Sequence, residues 1–222
     1  MLKQILLAGW LLMAVQVYCQ DYVALYDKML RLHDAGHLEE AADFGLRALQ
    51  MAEDELGKVS GDYLTISRDL GLIYSELYNY ESAYTHYAEA AALYLKVYPD
   101  SLNTTLVALS NAAGLAAYET GNYPVAGQHF TQALEWLQNL NLQNDTLYNQ
   151  TLRIYVRVSE ELPHTAEKLA YLEAFYNMTA TEPDEDTYMA AYQAALTSRA
   201  LGQDEKARQY KEIAKKLEEL LY

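Results

Sequence analysis

Cysteine is almost absent, with Cys19 the only one in 222 residues. A single thiol excludes an intrachain disulfide framework, so stability has to come from packing. Positive charge is scarce too, with 16 Lys and Arg against 31 Asp and Glu and a formal net charge of −15. Such a chain repels phosphate backbones, which argues against nucleic-acid binding. A solvated acidic surface explains the charge more simply than a basic partner does. The acid-rich stretch Glu182-Pro183-Asp184-Glu185-Asp186 precedes a helical pattern, where carboxylates favour the positive end of the helix dipole. It lacks the alternating spacing and glycine of a calcium loop.

Signatures of chemistry are missing as well. No Gly-x-Ser-x-Gly elbow, phosphate-cradling glycine loop or dinucleotide fingerprint occurs. Adjacent carboxylates such as Glu39-Glu40 and Glu160-Glu161 point in different directions on a helix. His33 and His37 have the four-residue spacing of paired zinc ligands, but Asp34 follows the first and Gly36 interrupts the helix between them. His86, His129 and His164 have no accompanying ligand pattern and read as surface or packing residues. The expectation is a non-enzymatic chain with no metal and no cofactor.

The first residues have a separate character. Lys3 precedes an apolar run from Ile5 to Val17, broken only by Gly9 and Gln16. That length is short for a membrane span and suits a secretory signal peptide. Cleavage after Cys19 would expose Gln20, so residues 1–19 are expected to be a signal peptide and residues 20–222 the mature domain. Lipidation of Cys19 ranks second, because Tyr18 is bulky beside it; an uncleaved anchor ranks third. The mature chain is expected to be periplasmic or secreted, without membrane insertion.

What the chain has in abundance is repetition. Ala41, Ala83, Ala126, Ala166 and Ala207 each follow a turn-like segment, at spacings of 42, 43, 40 and 41 residues. A period near forty marks a helical solenoid whose units bury their apolar faces against their neighbours. Three- and four-residue periodicity on either side of each turn predicts an all-α fold of ten helices. They are expected near 21–34, 38–56, 62–77, 81–97, 102–119, 124–140, 145–160, 163–178, 185–200 and 204–221. Gly36, Gly121 and Gly202 occupy the turns, where a left-handed residue ends a helix. The five alanines are expected to let paired helices approach closely. The last helix alternates Lys206, Arg208, Lys211 and Lys215 with Glu212, Glu218 and Glu219, which suits a solvated end cap.

Leu70-Gly71-x-x-Tyr74 followed by Asn79-Tyr80-x-x-Ala83-x-x-x-Tyr87-x-x-Ala90 resembles a tetratricopeptide repeat (TPR). The next unit repeats it with Gly114, Gly121-Asn122-Tyr123, Ala126, Phe130 and Ala133. The period exceeds the usual ~34 residues and is similar to the longer kinesin-light-chain repeats, as is the linker Glu55-Leu56-Gly57. HEAT-like pairs share the period but not the Gly-Asn-Tyr turn. The fourth repeat departs from the pattern, with Arg157 and Glu161 where an aromatic residue and a glycine are expected.

The resemblance implies that first helices line a ligand groove. Its facing positions correspond to Val23, Tyr26, Leu30 and His33; Thr65, Arg68, Leu72 and Ser75; Ala108, Asn111, Leu115 and Tyr118; Tyr148, Thr151, Tyr155 and Val158; Met189, Tyr192, Leu196 and Arg199. The expected partner-binding residues are Tyr26, Leu30, Arg68, Leu72, Asn111, Leu115, Tyr118, Thr151, Tyr155 and Tyr192. Asn111 matches an asparagine that pairs with peptide backbone in related repeats, because an amide carries a donor and an acceptor together. A carboxylate clamp is not implied, since Tyr26, Leu30, Asp69, Ala108 and Ala112 hold its places. The 21 tyrosines against 3 phenylalanines suit half-buried contacts and grooves alike. The expectation is an exported scaffold or adaptor for a peptide or protein segment. The alternatives are a sensory module acting through a separate partner and, less favoured, an unrecognised enzyme or small-ligand binder. Four Asn-x-Thr triplets, at Asn103, Asn144, Asn149 and Asn177, match the N-glycosylation pattern.

Overall fold

The computed structural model describes residues 21–221, and the expected signal segment lies outside them. The described residues form ten α-helices and one 3-10 turn, with no strand among them. They divide into two compact units, one ending at Ser101 and one starting at Leu102. The first holds α1 (Asp21–Asp34), α2 (Leu38–Leu56), α3 (Gly61–Glu76) and α4 (Tyr80–Val97). The second holds α5 (Thr104–Glu119), α6 (Tyr123–Asn139), α7 (Thr146–Val158), the 3-10 turn Ser159–Glu161, α8 (Ala166–Thr179), α9 (Glu185–Ala200) and α10 (Asp204–Leu221).

Local chemistry fixes most helix starts. Ser60, Asn79, Asn103, Asp145, Thr165 and Asp184 each accept a hydrogen bond from a backbone N–H in the first turn of the helix that follows. These side chains satisfy donors that a helix N-terminus leaves unpaired. Asp184 and Thr187 exchange bonds in a capping box, so the acid-rich stretch does begin a helix. The cap at Asn103 explains why α5 starts at Thr104 rather than at residue 102.

Four of the five hairpins close alike. The N–H groups of His37, Asn79, Asn122 and Gln203 reach back to the carbonyls of Leu32, Tyr74, Ala117 and Ser198. This closure needs a left-handed residue just before the donor. Gly36, Gly121 and Gly202 supply it at φ of 76°, 78° and 72°. Tyr78 fills the same place at φ 57°, where a side chain is strained.

Within hairpins, Ala41, Ala83 and Ala126 are fully buried, as expected. Each is the fourth residue of its helix. Ala166 is exposed instead, and Ala207 is half-buried. The cause in repeat four is a shifted helix start: Thr165 caps α8, so Ala166 opens the helix and buried Leu169 takes the fourth place. Pro163 stays in the loop, and α7 ends two residues early in the 3-10 turn.

Repeat four closes by different chemistry. The Lys168 side chain is 1% exposed, and its ammonium donates to the carbonyls of Ser159 and Leu162 at 2.5 and 3.0 Å. A buried cation thus terminates α7 where the other repeats use a turn. Burial pushes the amine down to about 8, with Glu160 opposing that shift.

Candidate functional site

The N-caps give a register for the first helices that is independent of the alanines. Eight residues beyond the caps of α3, α5, α7 and α9 stand Arg68, Asn111, Arg153 and Tyr192; twelve beyond stand Leu72, Leu115, Arg157 and Leu196. Three of the four expected sets agree with this count. Repeat four does not, because its expected set was aligned on Ala166, two residues out of step.

The consequence is visible in burial. Thr151 and Tyr155, expected to face a ligand, are 0% and 3% exposed and belong to the core, as do Tyr148 and Val158. Tyr155 packs edge-on against Tyr171 with ring centroids 5.3 Å apart, and burial raises its hydroxyl pKa. The exposed residues in the corresponding places are Gln150 and Arg157, with Arg153 half-buried. Counting from Ala166 misses them, whereas counting from the cap Asp145 finds them.

Asn111 also differs from expectation. It is buried, and its amide nitrogen donates to Thr151 Oγ1 at 2.8 Å, while Thr151 donates onward to the Leu147 carbonyl at 2.9 Å. The Asn111 Oδ1 is buried without a partner among the described residues. The amide that the resemblance reserves for a ligand is therefore committed to the neighbouring first helix.

Unit one shows the same habit. Tyr22 donates to Asp62 Oδ2 at 2.9 Å, Tyr26 to Asp69 Oδ2 at 2.5 Å, and His33 pairs with Glu76 at 2.9 Å. These contacts tie α1 to α3 at seven-residue steps along α3. Burial is the main cause of a raised Tyr26 hydroxyl pKa, reinforced by Asp69. Arg68 Nε donates to Asp69 Oδ1 at 2.7 Å, so Asp69 serves both neighbours. Leu30 is half-buried against the cluster of Met29, Leu32, Leu70 and Ile73.

What remains on the surface is mostly apolar. Leu72 is 43% exposed in unit one; in unit two Leu115, Tyr192 and Leu196 are 41%, 42% and 39% exposed. Tyr118 is half-buried and tilted against Tyr123 at 5.3 Å. In repeat four the cations Arg153 and Arg157 take these places and bind the cap and a first-turn acid of α9. Arg153 pairs with Asp184 at 2.6 Å and with Asp186, and Arg157 reaches Asp186 at 2.9 Å. Burial alone would raise the Asp186 carboxyl, but the two guanidinium groups outweigh it and hold it below its usual range.

His86 and His129 are structural. Ser67 and Ser110 donate to the carbonyls of His86 and His129 at 3.2 and 3.0 Å, and each hydroxyl lies 3.3 Å from the ring Nδ1. Burial lowers both imidazole pKa values, which favours neutral rings. Ser67 and Ser110 are 43 residues apart, as are the two histidines, so the internal period could have revealed the pair. No group of three or more potential metal ligands occurs among the described residues.

These elements define a class: helical hairpins of about forty residues, stacked through first helices that bond to their neighbours. No protein-family model and no curated protein matches the chain. Solved structures do, and they are TPR-like. Kinesin light chain nearly identical TPR-like repeats from Podospora anserina match 89% of this chain and 95% of their own, at 13% identity and a TM-score of 0.58. BtubC (BKLC) from P. vanneervenii matches over 94% and 86%, at 13% identity and a TM-score of 0.53. The Rap conjugation gene regulator of plasmid pLS20, solved with the Phr* peptide, matches 90% of this chain and 54% of its own length, at 14% identity and a TM-score of 0.52. The chain has a TPR-like helical-repeat fold.

Proposed function

We propose that this protein is an exported, non-enzymatic TPR-like scaffold or adaptor that binds a peptide or protein segment on its first helices. The observation that carries the reading is the set of large apolar side chains left in water there: Leu72 in unit one and Leu115, Tyr192 and Leu196 in unit two. The three leucines recur twelve residues beyond their caps and Tyr192 lies eight beyond its own, which suits an anchor surface. In unit two Arg153 and Arg157 stand in the corresponding places, with their guanidinium groups engaged by Asp184 and Asp186. The peptide in the Rap regulator structure supports the kind of ligand, through likeness of fold alone. No described helix is long and apolar enough to cross a membrane. Export rests on the charge–apolar–small pattern of residues 1–19.

Affinity capture from an exported fraction, with the processed chain as bait, tests the reading. Leu115→Asp or Tyr192→Ala should weaken a captured partner by about fivefold or more while leaving the melting temperature nearly unchanged. Binding that survives both changes, yet is lost on altering exposed Leu46 or Leu95 of the second helices, would move the site to the other face. Mass spectrometry of the processed protein decides export: an intact Met1 or a lipid on Cys19 contradicts cleavage after residue 19.

A further inference from the structure

Tyr78 holds a backbone that its own side chain disfavours. Its φ is 57°, in the place that Gly36, Gly121 and Gly202 fill in the other hairpins of this closure. Bulky residues rarely adopt that region. The ring gains little packing in return, because it remains 79% exposed. Repeat three closes the same way without the strain. At an offset of 43 residues, Ser75, Tyr78 and Tyr80 correspond to Tyr118, Gly121 and Tyr123. There Tyr123 meets half-buried Tyr118 at 5.3 Å, and glycine makes the turn. In repeat two the partner ring has moved from the helix out to the turn. Position 75 is serine, and Tyr78 stands 6.2 Å from Tyr80 with the ring planes 86° apart.

The two turns of unit one are poor in positive charge. No Lys or Arg occurs from residue 69 to 95 around the second turn, nor from 32 to 46 around the first. The basic groups of these stretches are His33, His37 and buried His86. His33 ties the two turns together by its 2.9 Å contact with Glu76. Glu76 and Glu81 flank the tyrosines in sequence and both are exposed. Glu81 makes no ion pair among the described residues.

We infer that the Tyr78–Tyr80 pair is a docking point for an arginine side chain of a partner protein. An aromatic face attracts a cation through its quadrupole. A guanidinium lying flat on one ring turns its N–H edge toward the face of a ring standing at right angles to it. Its remaining donors suit a carboxylate such as that of Glu81. A lysine ammonium has no plane to stack, and an acidic ligand is repelled by the neighbouring glutamates. The strained turn sets the second ring square to the first, which glycine there cannot do. The pair belongs to a turn, not to the first-helix register of Leu72 and Leu115, and so goes beyond the proposed function.

The probe is a fluorescein-labelled Gly-Gly-Arg-Arg-Gly-Gly peptide, titrated by anisotropy against the protein at about 0.15 M salt. Saturable binding is expected. Tyr78→Gly should weaken it about threefold or more while raising the melting temperature, since net charge is unchanged and the strain is gone. Tyr78→Phe keeps the ring and should keep the binding. Equal binding of the same peptide with lysines in place of arginines would mean that charge alone attracts the probe, and overturns the assignment. No saturation at millimolar peptide, indifference to Tyr78→Gly or loss with Tyr78→Phe overturns it too. So does a melting temperature that falls with Tyr78→Gly, which would make the ring part of the fold. A partner lost on Leu115→Asp but indifferent to Tyr78→Gly removes this site and leaves the proposed function standing.

Discussion

Asn111 and Thr151 lie on α5 and α7, and a 2.8 Å bond from amide nitrogen to hydroxyl joins them inside unit two. Tyr26 and Asp69 do the same for α1 and α3 in unit one. Polar groups on first helices are thus used first to register one repeat on the next.

This changes what substitution at these positions should do. Thr151→Val strands a buried amide donor and should cost about 1–3 kcal/mol. Asn111→Ala removes the donor and should lower stability as well, by roughly 1 kcal/mol. Urea denaturation of the two single variants and the double variant measures their coupling. Fully additive losses would mean that the bond contributes nothing to the stacking of α5 on α7.

Two glycines in first helices should be intolerant for a steric reason. A Cβ on Gly71 would lie 2.8–2.9 Å from the Tyr87 ring, and one on Gly114 would lie 2.9–3.0 Å from Phe130. Alanine would gain roughly 1 kcal/mol of helix propensity, yet overpacking against a fixed ring costs about 1–3 kcal/mol. Gly71→Ala and Gly114→Ala should therefore lower the melting temperature. Gly121→Ala meets nothing within 4 Å, so its loss of roughly 1 kcal/mol would come from the left-handed backbone alone. A rise in melting temperature for Gly71→Ala would show that the Tyr87 ring can retreat.

Lys168 makes stability depend on pH in an unusual direction. The folded amine loses its proton near 8, against 10.5 for the unfolded chain. Between those values the unfolded state binds more protons, so stability from this group rises as pH climbs and is level below about 8. Lys168→Met bares two carbonyls and should cost roughly 1–3 kcal/mol. It should also remove the rise. Unfolding free energies of both proteins at pH of about 7.5 and about 9.5 decide it: an unchanged difference between them would mean that the amine titrates normally.

The repeating skeleton was legible because it is written in local signals. Three- and four-residue apolar spacing marks all ten helices, and Gly36, Gly121 and Gly202 mark three turns that do hold left-handed backbone. Fold and period were thus readable from residues that act on their immediate neighbours. The candidate surface was readable only where the repeat is regular. Leu72, Leu115 and Tyr192 are exposed, whereas Thr151 and Tyr155 are buried. Counting from Ala166 displaces the assigned facing positions on α7 by two residues, about 200° around the helix, and alanine alone could not report the slip. Asp145 and Thr165, which cap α7 and α8, carried the true register. Pairings such as Asn111 with Thr151 depend on contacts between repeats, which no local pattern encodes.

The odd closure of repeat four also bears on how the molecule comes apart. Helices α7 and α8 touch far less than the partners of the other hairpins do, and Pro163, His164 and Thr165 between them are exposed. Opening free energies vary along a chain, and sparse packing around an exposed loop sets the low end. Backbone amides flanking Lys168 should then exchange with deuterium before those of α5, α6 and α9, and a protease should nick the Leu162–Thr165 loop ahead of any glycine turn. Cellular turnover would begin at the one hairpin held shut by an ammonium group.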